Sequence, residues 1–83
     1  MKASMIYRNA AKCLSAHRCN FYGLALDYAG QPNPGGNYSP LQDSLDAMFP
    51  ELYDYCMGNH GDDWCDVQVI ALLFMSAIAK DAE

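Results

Sequence analysis

Between Cys19 and Ala79 the chain carries no lysine and no arginine. A stretch of that length without positive charge cannot present a basic face to phosphates, so nucleic-acid binding is excluded for the larger part of the protein. Long apolar runs are missing too. The longest, Val69 to Met75, has seven residues, against about 20 for a membrane-spanning helix. No segment alternates apolar and polar residues long enough for a half-buried strand, which removes sheet architectures. The spacings C-x-x-C, G-x-G-x-x-G, H-E-x-x-H and the P-loop are also absent, and with them the usual signals for zinc knuckles, dinucleotides, metalloproteases and nucleoside triphosphates. The opening residues MKASMIYRNAAKCL lack the apolar core and cleavage site of a signal peptide, so the expected location is the cytoplasm. Nothing repeats at a fixed period and no linker divides the chain, so residues 1–83 are expected to form one domain.

What the chain does contain is apolar bulk and acid. Hydrophobic residues make up 52% of it, enough for a core in a small domain and too many for a disordered one. The net charge of −5 is unevenly distributed. Lys2, Arg8, Lys12 and Arg18 precede every acid, whereas seven acids, Asp43, Asp46, Glu51, Asp54, Asp62, Asp63 and Asp66, fall within 24 positions. Such a field repels nucleic acid and favours a protein partner with a basic surface, beyond the solubility that acids confer on any small domain.

Helical periodicity accounts for nearly all of the chain. A first helix is predicted over 4–18 with Ser4 as N-cap; Ile6, Tyr7, Ala10, Cys13, Leu14 and His17 fall on one side, and Arg8, Lys12 and Ser15 on the other. A second, over 20–29, shows Phe21, Leu24, Ala25 and Tyr28 at helical spacing and ends at Gly30. The loop GQPNPGGNY, with two prolines and three glycines, fits neither helix nor central strand. Ser39-Pro40-Leu41-Gln42 then reads as a capping box opening a helix over 40–49, which Pro50 ends or restarts as a short turn. Leu41, Leu45, Met48, Phe49 and Leu52 form its apolar side, with Gln42, Asp43 and Asp46 outward. The last helix, over 63–80 with Asp62 or Asp63 as its cap, is apolar over most of its circumference. The expected fold is therefore all-α: a bundle of four helices, or four and a fragment, around a buried C-terminal helix. Val67, Ala71, Phe74, Met75 and Ile78 are its predicted core face, with Trp64 nearby; Asp66, Ser76 and Lys80 mark the opposite side. Val69 and Leu73 on that second side need a cover. The segment around Leu52, Tyr53 and Tyr55 is expected to supply it, giving a monomer rather than a homodimer.

Four cysteines and two histidines raise the question of metal. Cys13 and His17 are spaced like Cys56 and His60, each pair one helical turn apart, with Cys19 and Cys65 close in sequence. Cys13 and His17 lie on the apolar side of the first helix, where core packing accounts for them, and all four cysteines are read as thiols. The expectation is no metal and no cofactor. His60 with Asp62 and Asp63 is the one cluster that suggests acid–base chemistry, and a turn followed by a helix cap explains it more simply. No enzymatic activity is expected.

CNFYGLALDYAG and the closing VIALLFMSAIA are similar to stretches of small proteins encoded in bacteriophage and prophage genomes. The resemblance covers about a third of the chain. It implies provenance and brings no site residues with it. Joined to the acidic field, it points to a protein that binds a host protein, in its most concrete form an inhibitor of a defence complex of the anti-CRISPR or anti-restriction type. Such targets present basic channels for nucleic acid, which an acidic surface can occupy. Asp43, Asp46, Glu51, Asp54, Asp62 and Asp63 are the expected contacts, with Tyr53 and Tyr55 as anchors. A phage structural or regulatory accessory, or a small zinc-stabilised module, are the alternatives.

Overall fold

The computed structural model describes residues 2–17, 22–29, 39–52, 54 and 63–83. Four helices follow one another: α1 (Ala3–His17), α2 (Tyr22–Ala29), α3 (Ser39–Met48) and α4 (Asp63–Ala82). Among the described residues there is no strand, and the fold is all-α. At 20 residues α4 is about 30 Å long, at 1.5 Å per residue, close to the longest dimension of the molecule, 33 Å. Within the described residues, no helix is long and apolar enough to cross a membrane.

The centre of the bundle is α1. It packs along α4 on one side and against α2 on another, while α3 touches α2 and α4 more lightly. Ile6, Tyr7, Ala10, Ala11 and Leu14 are all buried, and Arg8, Lys12 and Ser15 are exposed as the periodicity predicts. Ala25 and Leu26 from α2, with Leu45 and Leu52 from α3 and the turn after it, complete the core. Leu26 was not among the expected core residues; Phe21 lies outside the described residues, as do the side chains of Leu24 and Tyr28.

The C-terminal helix is not buried all round, and its predicted core face holds only for Ala71 and Met75. Cys65, Gln68, Ala71, Leu72 and Met75 are buried, whereas Val67 is 37% exposed, Phe74 55% and Ile78 38%. At 100° per residue the true buried arc lies roughly 90° from the expected one. The reason is the partner helix. Cys65 Sγ reaches the Leu14 carbonyl and Ser76 Oγ the Ser4 carbonyl, so the side of α4 that carries Cys65, Leu72 and Ser76 is turned toward α1, and Phe74, roughly 160° or more round the axis by the 100° step, is turned outward. Ser76, predicted to face solvent, is half-buried and donates from Oγ to the Ser4 carbonyl at 2.7 Å. Val69 is half-buried against the core, whereas Leu73 is 48% exposed; of the expected cover, Leu52 is buried in the core and Tyr53 and Tyr55 lie outside the described residues. Met48, also predicted to be core, is 47% exposed.

Helix ends follow local chemistry with one exception. Pro40 lies in the first turn of α3, where its missing N–H leaves no bond unmade, and Ser44 Oγ donates back to its carbonyl at 3.0 Å. Past Met48 the chain turns at Pro50, held by the Phe49 N–H to the Leu45 carbonyl at 2.9 Å and the Leu52 N–H to the Phe49 carbonyl at 3.0 Å. The exception is Ser4. Lys2 provides the carbonyl that accepts from Met5 and Ile6, so Ser4 stands inside the first turn of α1 and is not its N-cap. Glu83 takes over the capping: its Oε1 accepts from the Ser4 N–H at 3.2 Å and its Oε2 from Ser4 Oγ at 2.8 Å. A carboxylate at a helix N-terminus satisfies backbone donors and suits the dipole.

Candidate functional site

Rotation of α4 away from its expected register leaves a large apolar surface outside the core. Val67, Ile70, Leu73, Phe74 and Ile78 are all exposed, Ile70 to 66%. This face does not end at the helix. The turn after α3 runs beside it, so that Met48, Phe49, Pro50 and Leu52 form one wall of a groove of about 460 Å³, and Val67, Ile70, Ala71 and Phe74 form the other. Phe49 and Phe74 meet across it edge to face, with ring centroids 5.9 Å apart. Among the described residues Glu51 is the one charged residue in the lining.

Sequence position explains each wall. Pro50 stops α3 and swings the chain so that Leu52 enters the core while Met48 and the Phe49 edge stay at the surface. On α4, Val67, Ile70, Phe74 and Ile78 repeat at intervals of three or four and therefore stack into one stripe. Val67, Phe74 and Ile78 share the face that periodicity predicts to be core; the structure turns these three outward together with Ile70.

Of the expected contact residues, Asp43 on α3 and Glu51 and Asp54 after it are exposed, and Glu51 lines the groove. Asp46 is half-buried, and loss of solvent pushes its carboxyl above the usual carboxylate range. Asp63 opens α4, with its side chain outside the described residues. Asp62, Tyr53 and Tyr55 lie wholly outside them. On α4, Asp66 and Asp81 are exposed and flank the apolar stripe near its two ends.

The cysteines divide in the same way. Cys65 is fully buried and its Sγ donates to the Leu14 carbonyl at 3.4 Å, a core position in the α1–α4 seam. Cys13 is half-buried and packs against the core. Cys19, Cys56 and His60 lie outside the described residues, as does the His17 side chain. Among the described residues no three His, Cys, Asp or Glu side chains are grouped so as to hold a metal ion.

Two further polar features hold the fold and belong to no site. Tyr7 is buried beneath α3 and donates from its hydroxyl to the Leu41 carbonyl at 2.9 Å; burial raises its phenol above the ordinary value, against a smaller lowering by Ser44. The Glu83 carboxyl is held below its usual range, first by the Ser4 hydroxyl and then by the Ser4 N–H, with Lys2 and Lys80 adding a little.

No protein-family model matches the chain, and neither a curated protein nor a solved structure matches it.

Proposed function

We propose that the protein is a non-enzymatic binding module that acts by docking on another protein. The observation that carries this reading is the groove between the end of α3 and α4, an exposed apolar surface with Glu51 in its lining and the exposed Asp54 and Asp66 next to lining residues in the sequence. Apolar centres with polar rims are what protein-binding surfaces require, since the centre supplies desolvation and the rim supplies selectivity. The partner is a protein with a basic surface, because no lysine or arginine occurs from Cys19 to Ala79 to oppose the acids. In its most specific form, drawn from the acidic field and the phage-like stretches, the target is a host defence complex that handles nucleic acid. The module then inhibits it by occupying a basic nucleic-acid channel.

The test is competition. A nucleic-acid-handling defence complex incubated with the protein should lose binding to its nucleic acid, and the effect should weaken as salt rises. Reversing Asp43, Glu51 and Asp54 together to lysine should remove the inhibition with the melting temperature unchanged. Inhibition that survives the reversal, or that is indifferent to salt, counts against the acidic surface as its cause.

A further inference from the structure

Resting on the reading of the protein as a docking module, we infer that the groove receives a basic amphipathic α-helix of the partner, laid along α4. Shape is the first argument. Val67, Ile70, Phe74 and Ile78 form a straight stripe, spanning about 16 Å at 1.5 Å per residue, or three turns. The spacing of three, four and four residues is that of a helix seam, and a stripe longer than it is wide matches a second helix better than a compact ligand. The deeper part, between Met48 and Leu52 on one wall and Ile70 and Phe74 on the other, gives an incoming helix a place for its bulkiest anchor.

Charge selects the occupant. Glu51 lines the α3 side of the groove and Asp54 follows two residues after Leu52 of the same wall, while Asp66 and Asp81 lie beside the α4 stripe near either end, all exposed. Lys80 is the single base on α4, and it points roughly 120° away from Phe74 by the 100° step. A second copy of the chain on this face would bring two such acidic rims together at the same interface, and like charges so placed oppose association. A helix with an apolar stripe bordered by lysine or arginine meets apolar with apolar and acid with base.

The experiment uses two labelled synthetic peptides with leucines at heptad a and d positions, one with lysine at the flanking positions and one with glutamate. The full-length protein should bind the lysine peptide, with a gain in its helicity by circular dichroism, and bind the glutamate peptide at least tenfold more weakly. Ile70→Ser and Phe74→Ser, which change no charge, should each weaken the lysine peptide at least fivefold, and Glu51→Lys with Asp54→Lys should do the same in a salt-dependent way. The inference is overturned by equal binding of both peptides, by no binding of the lysine peptide, or by lysine-peptide binding unaffected by the two serine variants, which would make it surface electrostatics alone. A wild-type dimer in light scattering that Ile70→Ser dissociates would make a second copy the occupant and also overturn it. If Ile70→Ser and Phe74→Ser leave inhibition of a defence complex intact while the acid reversals abolish it, the docking function stands and the helix-in-groove mode falls.

Discussion

Phe49 and Phe74 meet edge to face at 5.9 Å with their planes 77° apart, joining the turn after α3 to the outer side of α4. Phe74 is more than half exposed, so the pair braces a surface groove and leaves the core to other residues. An edge-to-face pair contributes about 0.5–1.5 kcal/mol beyond its burial.

The energetic centre of α4 is therefore Leu72, fully buried, and not Phe74. Leu72→Ala should cost about 2–5 kcal/mol, a large part of the stability of a small domain, against about 1 kcal/mol for Phe74→Ala. Urea melts of the two variants beside the parent read the difference. Equal losses would restore the register expected from the bulk of the side chains alone.

Tyr7 ties α1 to α3 through the Leu41 carbonyl. Tyr7→Phe keeps the ring and removes the donor, so the expected loss is about 1 kcal/mol, typical of one intramolecular hydrogen bond. A thermal melt indistinguishable from the parent would show that water replaces the phenol at no cost.

Glu83 and Asp46 should leave opposite marks on stability against pH. The folded-state pKa of Glu83 is depressed, so its contribution is present above the unfolded value and is lost as pH falls through the folded one. Glu83→Gln should flatten that part of the acid limb. Asp46 has a raised folded-state pKa, which makes its charged form a penalty above that value and none below the unfolded one. Asp46→Asn should accordingly help at neutral pH and make no difference in acid. Chemical denaturation of both variants from neutral pH down to pH 3 measures each sign.

Ile70 is exposed enough that its substitution probes function without disturbing the fold. Ile70→Ser should change unfolding free energy by less than about 0.5 kcal/mol, as for other surface positions. Substantially lower stability would mean that the side chain is covered in solution by part of its own chain.

Helix content and limits were determined by the sequence alone. The three- and four-residue recurrence of apolar positions, Pro40 just inside α3 and Pro50 just past it set the elements, with boundaries agreeing to within about two residues, the normal latitude of helix ends. Periodicity also placed Arg8 and Lys12 outward and Leu14 and Leu45 inward, because on α1 and α3 only one face is apolar. On α4 apolar residues surround the axis, so amphipathicity names no unique inner face, and the polar positions Asp66, Ser76 and Lys80 point to Val67, Phe74 and Ile78 as the inner side. Tertiary structure decided otherwise. Cys65 and Ser76 reach the Leu14 and Ser4 carbonyls of α1, which turns them and Leu72 inward and Ile70, Leu73 and Phe74 outward. The cap of α1 by Glu83, 79 positions away from Ser4, was equally beyond local pattern, since it depends on α4 lying alongside α1 in a register that only their packing establishes.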